Sequence, residues 1–166
     1  MSCVSCQVSE WGCRLLETLL VQDGSATVPE FGKFHDKAQK ALASHIQDLR
    51  VVQAALALLR QMARVPDRPV VNQNSNMVRE ATLALVVQGM AIHGTDADVH
   101  KWGTRTLYSL WNTRRKYYDT RALMLKAKLP EALKLACRRF PHDKNSADYL
   151  EYVCDSGGGG CCCTIS

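Results

Sequence analysis

No stretch of this chain is long and apolar enough to cross a bilayer. About 20 consecutive apolar residues are needed, and the best run, Ala81 to Ile92, is shorter and carries Gln88 and Gly89. The first residues lack a basic segment followed by an apolar one, so no secretory signal is visible. Catalytic signatures are missing too. There is no glycine-rich phosphate loop, no G-x-S-x-G, no H-E-x-x-H, and no nucleophile spaced against a base. A noncatalytic module is therefore expected, and an enzyme without a recognisable motif is the weaker alternative. His35, His45, His93, His100 and His142 contain no H-x(3–5)-H pair, so the C-x-x-C of Cys3 and Cys6 has no second ligand pair for zinc. No metal and no cofactor are expected. The net charge is only +5, with bases and acids interleaved, and charge alone gives no reason to expect nucleic acid.

What is present is a chain of 166 residues, enough for one domain with a buried core. Its eight cysteines crowd the ends, with Cys137 alone between them. A secreted disulfide framework would thread through the chain and follow a signal peptide. Reduced thiols and a cytoplasmic location are the plainer expectation.

The organising stretch is Thr95 to Trp111. Thr95 and Asp98 have the spacing of a capping box. Val99, Gly103, Leu107 and Leu110 then form one apolar stripe at helical spacing. The same internal spacing occurs in Val8, Gly12, Leu16 and Leu19, and in Val51, Ala55, Leu59 and Met62, at offsets of 43 and 48 residues. A partial fourth copy begins at Tyr149 and Val153. One amphipathic helix recurring at long period is the signature of a solenoid.

In chain order, residues 1–7 are an N-terminal tail, 8–155 a repeat domain and 156–166 a flexible tail. The first helix is expected over Val8 to Leu20. Its start so near Met1 implies either a longer protein or an apolar flank that meets a partner, because terminal units of a solenoid need a polar cap. Gln22 to Pro29 is a loop by composition. Phe34, Ala38, Ala41, Leu42 and His45 mark a second helical face. Asp48 caps a third helix reaching about Arg64. Val65 to Asn76 is irregular. Met77 to His93 is apolar nearly all round and is predicted to lie inside, with neighbours on two sides. Gly94 ends it by taking the left-handed conformation. Asn112 to Lys116 is polar and basic, and Tyr118 to Ala127 reads as a helix. Leu129, Ala132, Leu133, Ala136, Cys137 and Phe140 form another helical stripe, with Pro130 in its first turn and Pro141 stopping it. A last short helix ends near Asp155.

The stretch D-A-D-V-H-K-W-G-T-R-T-L-Y-S-L-W-N, with the later A-L-M-L-K-A-K-L-P-E-A-L-K-L-A, resembles an armadillo repeat. Gly12, Ala55 and Gly103 match the family's small position, while Lys128 stands where the family usually has glycine. HEAT repeats share the packing rules and stay open as the alternative. The resemblance implies an all-α, armadillo-like right-handed α-solenoid of about three repeats, covering about residues 7–154. It also implies a scaffold that binds a protein or peptide partner on its stacked third helices. The family's groove asparagine falls on Asn112, and Tyr108 lies one turn earlier, where a tryptophan is common. The matching positions in the other copies are Glu17 and Val21, then Arg60 and Arg64, so no asparagine ladder repeats. Trp11 and Trp102 share one register, each before the small residue, which suggests packing between units.

Two further segments bear on partners. Arg114, Arg115 and Lys116, next to Tyr117 and Tyr118, form the densest basic patch. It could meet phosphate or an acidic peptide, but a solvated turn between helices is the preferred reading. The end, G-G-G-G-C-C-C-T-I-S, joins a flexible spacer to Cys163-Thr164-Ile165-Ser166, which fits C-a-a-X with serine favouring farnesyl. One prenyl chain holds a membrane weakly, and Cys161 and Cys162 offer acylation sites for a second anchor. A repeated codon pattern or a shifted last exon would leave the same ending. The expected roles are thus partner binding through Arg60, Arg64, Tyr108, Asn112, Arg114, Arg115 and Lys116, with peripheral membrane association through Cys163, Cys161 and Cys162. The alternative is a fragment of a larger scaffold without lipid.

Overall fold

A computed structural model describes residues 4–22, 31–64, 80–114, 126 and 128–141. These form helices α1 (Val4–Gln22), α2 (Phe31–Ser44), α3 (Leu49–Arg64), α4 (Glu80–Ile92), α5 (Ala97–Arg114) and α6 (Leu129–Arg139), and the described residues contain no strand. The described part of the protein is all-helical.

Helix α3 is the centre of the assembly. Its apolar face is broad, with Val51, Val52, Ala55, Leu56, Leu58, Leu59 and Met62 all buried, while Arg50, Gln53, Arg60 and Gln61 hold the remaining side. An apolar face that wide needs more than one neighbouring helix to cover it. Its largest partners are α5 on one side and α1 on the other, with α2 packed across it. Helix α4 packs on α5 as α2 packs on α3, and α6 continues beyond α4. The three long helices that share a stripe, α1, α3 and α5, therefore lie side by side in that order. Polar ties reinforce the seams. The Thr106 hydroxyl of α5 donates to the Leu56 carbonyl of α3 at 3.1 Å, and buried Thr82 of α4 meets His35 Nε2 of α2 at 3.2 Å.

The turns that enter α3 and α5 are copies of one another. After α2, the backbone N–H of His45 bonds Ala41 and that of Asp48 bonds His45. After α4, His93 bonds Gly89 and Asp96 bonds His93 in the same pattern. The following helix is capped each time by the aspartate. Asp48 Oδ1 accepts from the Arg50 and Val51 amides at 3.0 and 3.3 Å, and Asp96 Oδ1 accepts from Val99 at 2.8 Å. The histidines link one turn to the element before it. His93 Nε2 donates to the Ile46 carbonyl at 2.9 Å, and His45 Nδ1 lies 3.5 Å from Cys6 Sγ on α1. Asp96 also accepts from Gln53 Nε2 of α3 at 3.1 Å. Losing an N-cap acid costs about 1–2 kcal/mol, so Asp96→Ala should lower stability to unfolding by urea by that amount. A loss under about 0.3 kcal/mol would remove Asp96 as the organiser of this turn.

Several expectations change here. The start of α5 is capped by Asp96, so the expected Thr95–Asp98 box does not form: Thr95 lies in the turn, and the aspartate one position later reaches the third amide. Gly94 ends α4 without left-handed φ. The Arg139 guanidinium, the end of a flexible exposed side chain, lies over the space a Cβ would take there. Helix α5 runs on through Arg114, so that residue closes a helix where a turn was expected. Helix α4 buries only one face, through Thr82, Leu83, Val86 and Met90, and exposes Ala81, Ala84, Gln88 and Ala91. Alanines leave little apolar area in water, which makes an open side tolerable.

The largest correction concerns α1. Its repeat stripe was expected to face the core, yet Val8 and Gly12 are exposed and Leu19 is 37 % exposed. Helix α1 instead buries Cys13 and Leu20, with Leu16 and Cys6 partly covered. The reason lies in position: α1 ends the row, so the side that α3 and α5 turn toward a neighbour has none described. Trp11 in the same register is 69 % exposed, so it does not pack between units. Gln22, expected to open the first loop, is the last residue of α1, and Lys126, within the expected helix over 118–127, is helical. The rest of those two segments, the irregular 65–76 segment, the helix near 155, the fourth copy at 149–153 and the tail lie outside the described residues, as do Pro29, Val78 and Cys3.

Helix α6 follows its predicted stripe, with Leu133, Ala136 and Cys137 buried and Pro130 in its first turn. Lys128 enters it at φ 57° and ψ 33°, the one positive φ among described non-glycine residues. This is the position where the resemblance expects glycine. A side chain in that region strains against the backbone carbonyl by about 1 kcal/mol. Lys128→Gly should therefore raise stability by about 0.5–1 kcal/mol in denaturant titration. A destabilising Lys128→Gly would contradict the left-handed entry.

Candidate partner-binding surface

The sides of α3 and α5 that face away from α2 and α4 carry Arg60 and Tyr108 of the predicted partner residues. Helical spacing puts Lys101, Arg105 and Tyr108 on one face of α5, opposite the side of Gly103 that meets α4. Arg60 comes from the matching register of α3. The four do not scatter. Trp102, half-buried at the α3–α5 seam, has the Arg60 guanidinium 5.1 Å, the Lys101 ammonium 5.1 Å and the Arg105 guanidinium 5.8 Å from its ring centroid. Each contact of this kind contributes about 0.5–1 kcal/mol when solvent-exposed. Gathering three cations on one indole also sets like charges near each other, which favours an anionic visitor. Tyr108 is 45 % exposed on the same face.

Arg60 also connects this cluster to α1. Burial pushes the Glu17 carboxyl above its ordinary value, and Arg14 and Arg60 pull it partly back. Arg14 is itself held by Glu10 at 3.0 Å. The three matching positions, Glu17, Arg60 and Tyr108, thus form a line across the row of long helices.

Cys13 sits behind this line, on the buried side of α1. Burial, with Glu17 adding to it, pushes its thiol up to about 11 from 9.0. The neutral thiol is favoured in the fold. Its contribution to stability is complete below pH 9.0 and is lost as pH rises through about 11. At pH 8 roughly one Cys13 in a thousand is a thiolate, so the residue is a poor nucleophile. Iodoacetamide at pH 8 should leave Cys13 unmodified in the native chain and modify it on denaturation, as read by peptide mass spectrometry. Rapid native labelling would show that the thiol is not buried as described.

Of the predicted residues, Arg60 and Tyr108 are brought onto one surface. Arg64, Asn112 and Arg114 lie in the last turns of α3 and α5, and their side chains are outside the described structure. Arg115, Lys116, Cys161, Cys162 and Cys163 fall outside the described residues. Trp102, Lys101 and Arg105 were missed. The signal was available: a tryptophan with a base one residue before and another three residues after. Among the described residues no three histidine, cysteine or acidic side chains gather in a metal-binding group, and no helix is long and apolar enough to cross a membrane. No family model matches the chain, and no curated protein or solved structure matches it.

Proposed function

We propose that this protein is a noncatalytic interaction scaffold of about three armadillo-like units, which takes an acidic peptide across the exposed side of α3 and α5. The observation that carries the reading is Trp102 ringed by Arg60, Lys101 and Arg105. An aromatic plate supplies apolar contact while the cations supply charge-assisted hydrogen bonds, and arginine does so bidentately with carboxylates. The row of long helices, the copied His-x-x-Asp turns and the left-handed Lys128 support the armadillo-like reading. In this proposal the tail adds recruitment to membranes, with prenylation of Cys163 and acylation of Cys161 or Cys162.

Glutamate-rich peptides of random sequence, labelled and titrated with the full chain, test the surface. Binding should weaken as salt rises. Arg60→Glu combined with Arg105→Glu should weaken it at least about tenfold, or 1.4 kcal/mol. Equal binding by that variant and the wild type rejects the surface. An unmodified C-terminal serine, found by intact mass spectrometry of protein from its native cell, rejects the lipid.

A further inference from the structure

Helix α1 carries an uncovered apolar stripe. Val4, Val8, Trp11, Leu15 and Leu19 recur at steps of four, three, four and four residues, and are exposed by 76, 67, 69, 61 and 37 %. In α3 the matching residues are Val51, Ala54, Leu58 and Met62, all buried. Contiguous apolar surface of this kind marks an interaction site in a water-exposed protein.

Internal register shows what shape fits there. Gly12 in α1 matches Gly103 in α5. A Cβ on Gly103 would lie 2.6 Å from Cγ and Sδ of Met90, because α4 crosses α5 at that glycine. A Cβ on Gly12 would meet nothing within 4 Å. The same notch is thus filled by a helix in one place and open in the other. Beside the open notch, α1 and α2 enclose a groove of about 450 Å³ floored by Val8, Gly12, Leu15 and Leu16. Its rim carries Lys37 and Lys40, both exposed on α2.

We propose that the groove between α1 and α2 is a docking site for one amphipathic α-helix of a partner protein, seated with a large apolar side chain over Gly12 and carboxylates beside Lys37 and Lys40. The helix takes the place on α1 that α4 takes on α5, which continues an interface already built into the fold. Its apolar residues at i, i+3 or i+4, and i+7 cover the stripe. The two lysines select its charge. A second copy is a poor occupant, because it brings the same lysine rim and sets like charges together. A fluid lipid surface has no use for a notch one side chain wide. The site lies apart from the Trp102 cluster and does not depend on it.

The test presents the full chain with displayed helices of the length of α2, 14 residues, having a fixed aliphatic stripe and flanks drawn from Glu, Lys and Ser. The expected selection is helices with glutamate along one flank. By fluorescence anisotropy, Gly12→Leu should weaken their binding at least about tenfold, while the melting curve of the variant shows no loss of stability. Lys37→Glu with Lys40→Glu should reverse the preference to lysine flanks. Arg60→Glu should change nothing, which separates this groove from the peptide surface. Four results overturn the proposal: no helix selected, selected helices without acidic bias, binding indifferent to Gly12→Leu, or a covered face. The last would appear as a sedimenting dimer that Trp11→Glu splits, or as capture by phosphatidylserine vesicles that Trp11→Glu abolishes.

Discussion

Leu58→Ala should cost this fold about 2–5 kcal/mol, and Leu15→Ala almost nothing. The two leucines occupy the same register of two matching helices. Leu58 on α3 is fully buried in the core, whereas Leu15 on α1 is 61 % exposed. Truncating Leu58 removes apolar contacts and leaves a cavity that close-packed neighbours cannot fully close. Alanine at position 15 removes a side chain mostly in water and has a slightly better helix propensity. Guanidinium titrations of the two variants measure the difference directly. Similar losses at both sites would mean that α1 has a covering neighbour in the free chain, and would remove the basis for the docking groove.

A second contrast separates the matching glycines. Gly103→Leu drives a side chain into Met90, which is itself fully buried and must repack to make room. Overpacking costs about 1–3 kcal/mol and sometimes more, and a branched four-carbon addition at a helix crossing belongs at the upper end. The gain of about 1 kcal/mol from replacing a mid-helix glycine does not offset it. Gly12→Leu faces open space and keeps that gain, so it should raise the melting temperature slightly. The two variants should melt several degrees apart in opposite directions from wild type. If Gly103→Leu melts with wild type, α4 does not cross α5 at that glycine.

How much of this was legible in advance varies by residue. The stripes of α3 and α6 were readable because each helix is buried along the stripe that its spacing defines. Asp48 was readable as a cap because it stands directly before an apolar-periodic run. Asp96 was misread in favour of Thr95: two candidate caps stood side by side, and only geometry shows which oxygen reaches Val99. The histidines lack metal spacing, and two of them serve the turns: His93 ties its turn to the one before it, and His45 ties its turn to α1. That role was visible in principle, since His45–Asp48 and His93–Asp96 have the same spacing at an offset of 48 residues. Trp102 reads as packing from its register, and it packs only by half: Lys101 and Arg105 flank it locally, while Arg60 reaches it from α3, which only tertiary structure brings near.

By itself the sequence determined that the chain folds as helices, where most of them start and stop, and which long helices are alike. Those properties follow from local backbone capping and from the 3.6-residue period, which neighbouring residues set among themselves. Tertiary structure alone decided which copy of the shared stripe is covered. Val8 and Val51 are the same residue in the same register, yet one is exposed and the other buried. Burial is a property of place in the row, and α3 has a neighbour on each side while α1 stands at the end of the described helices.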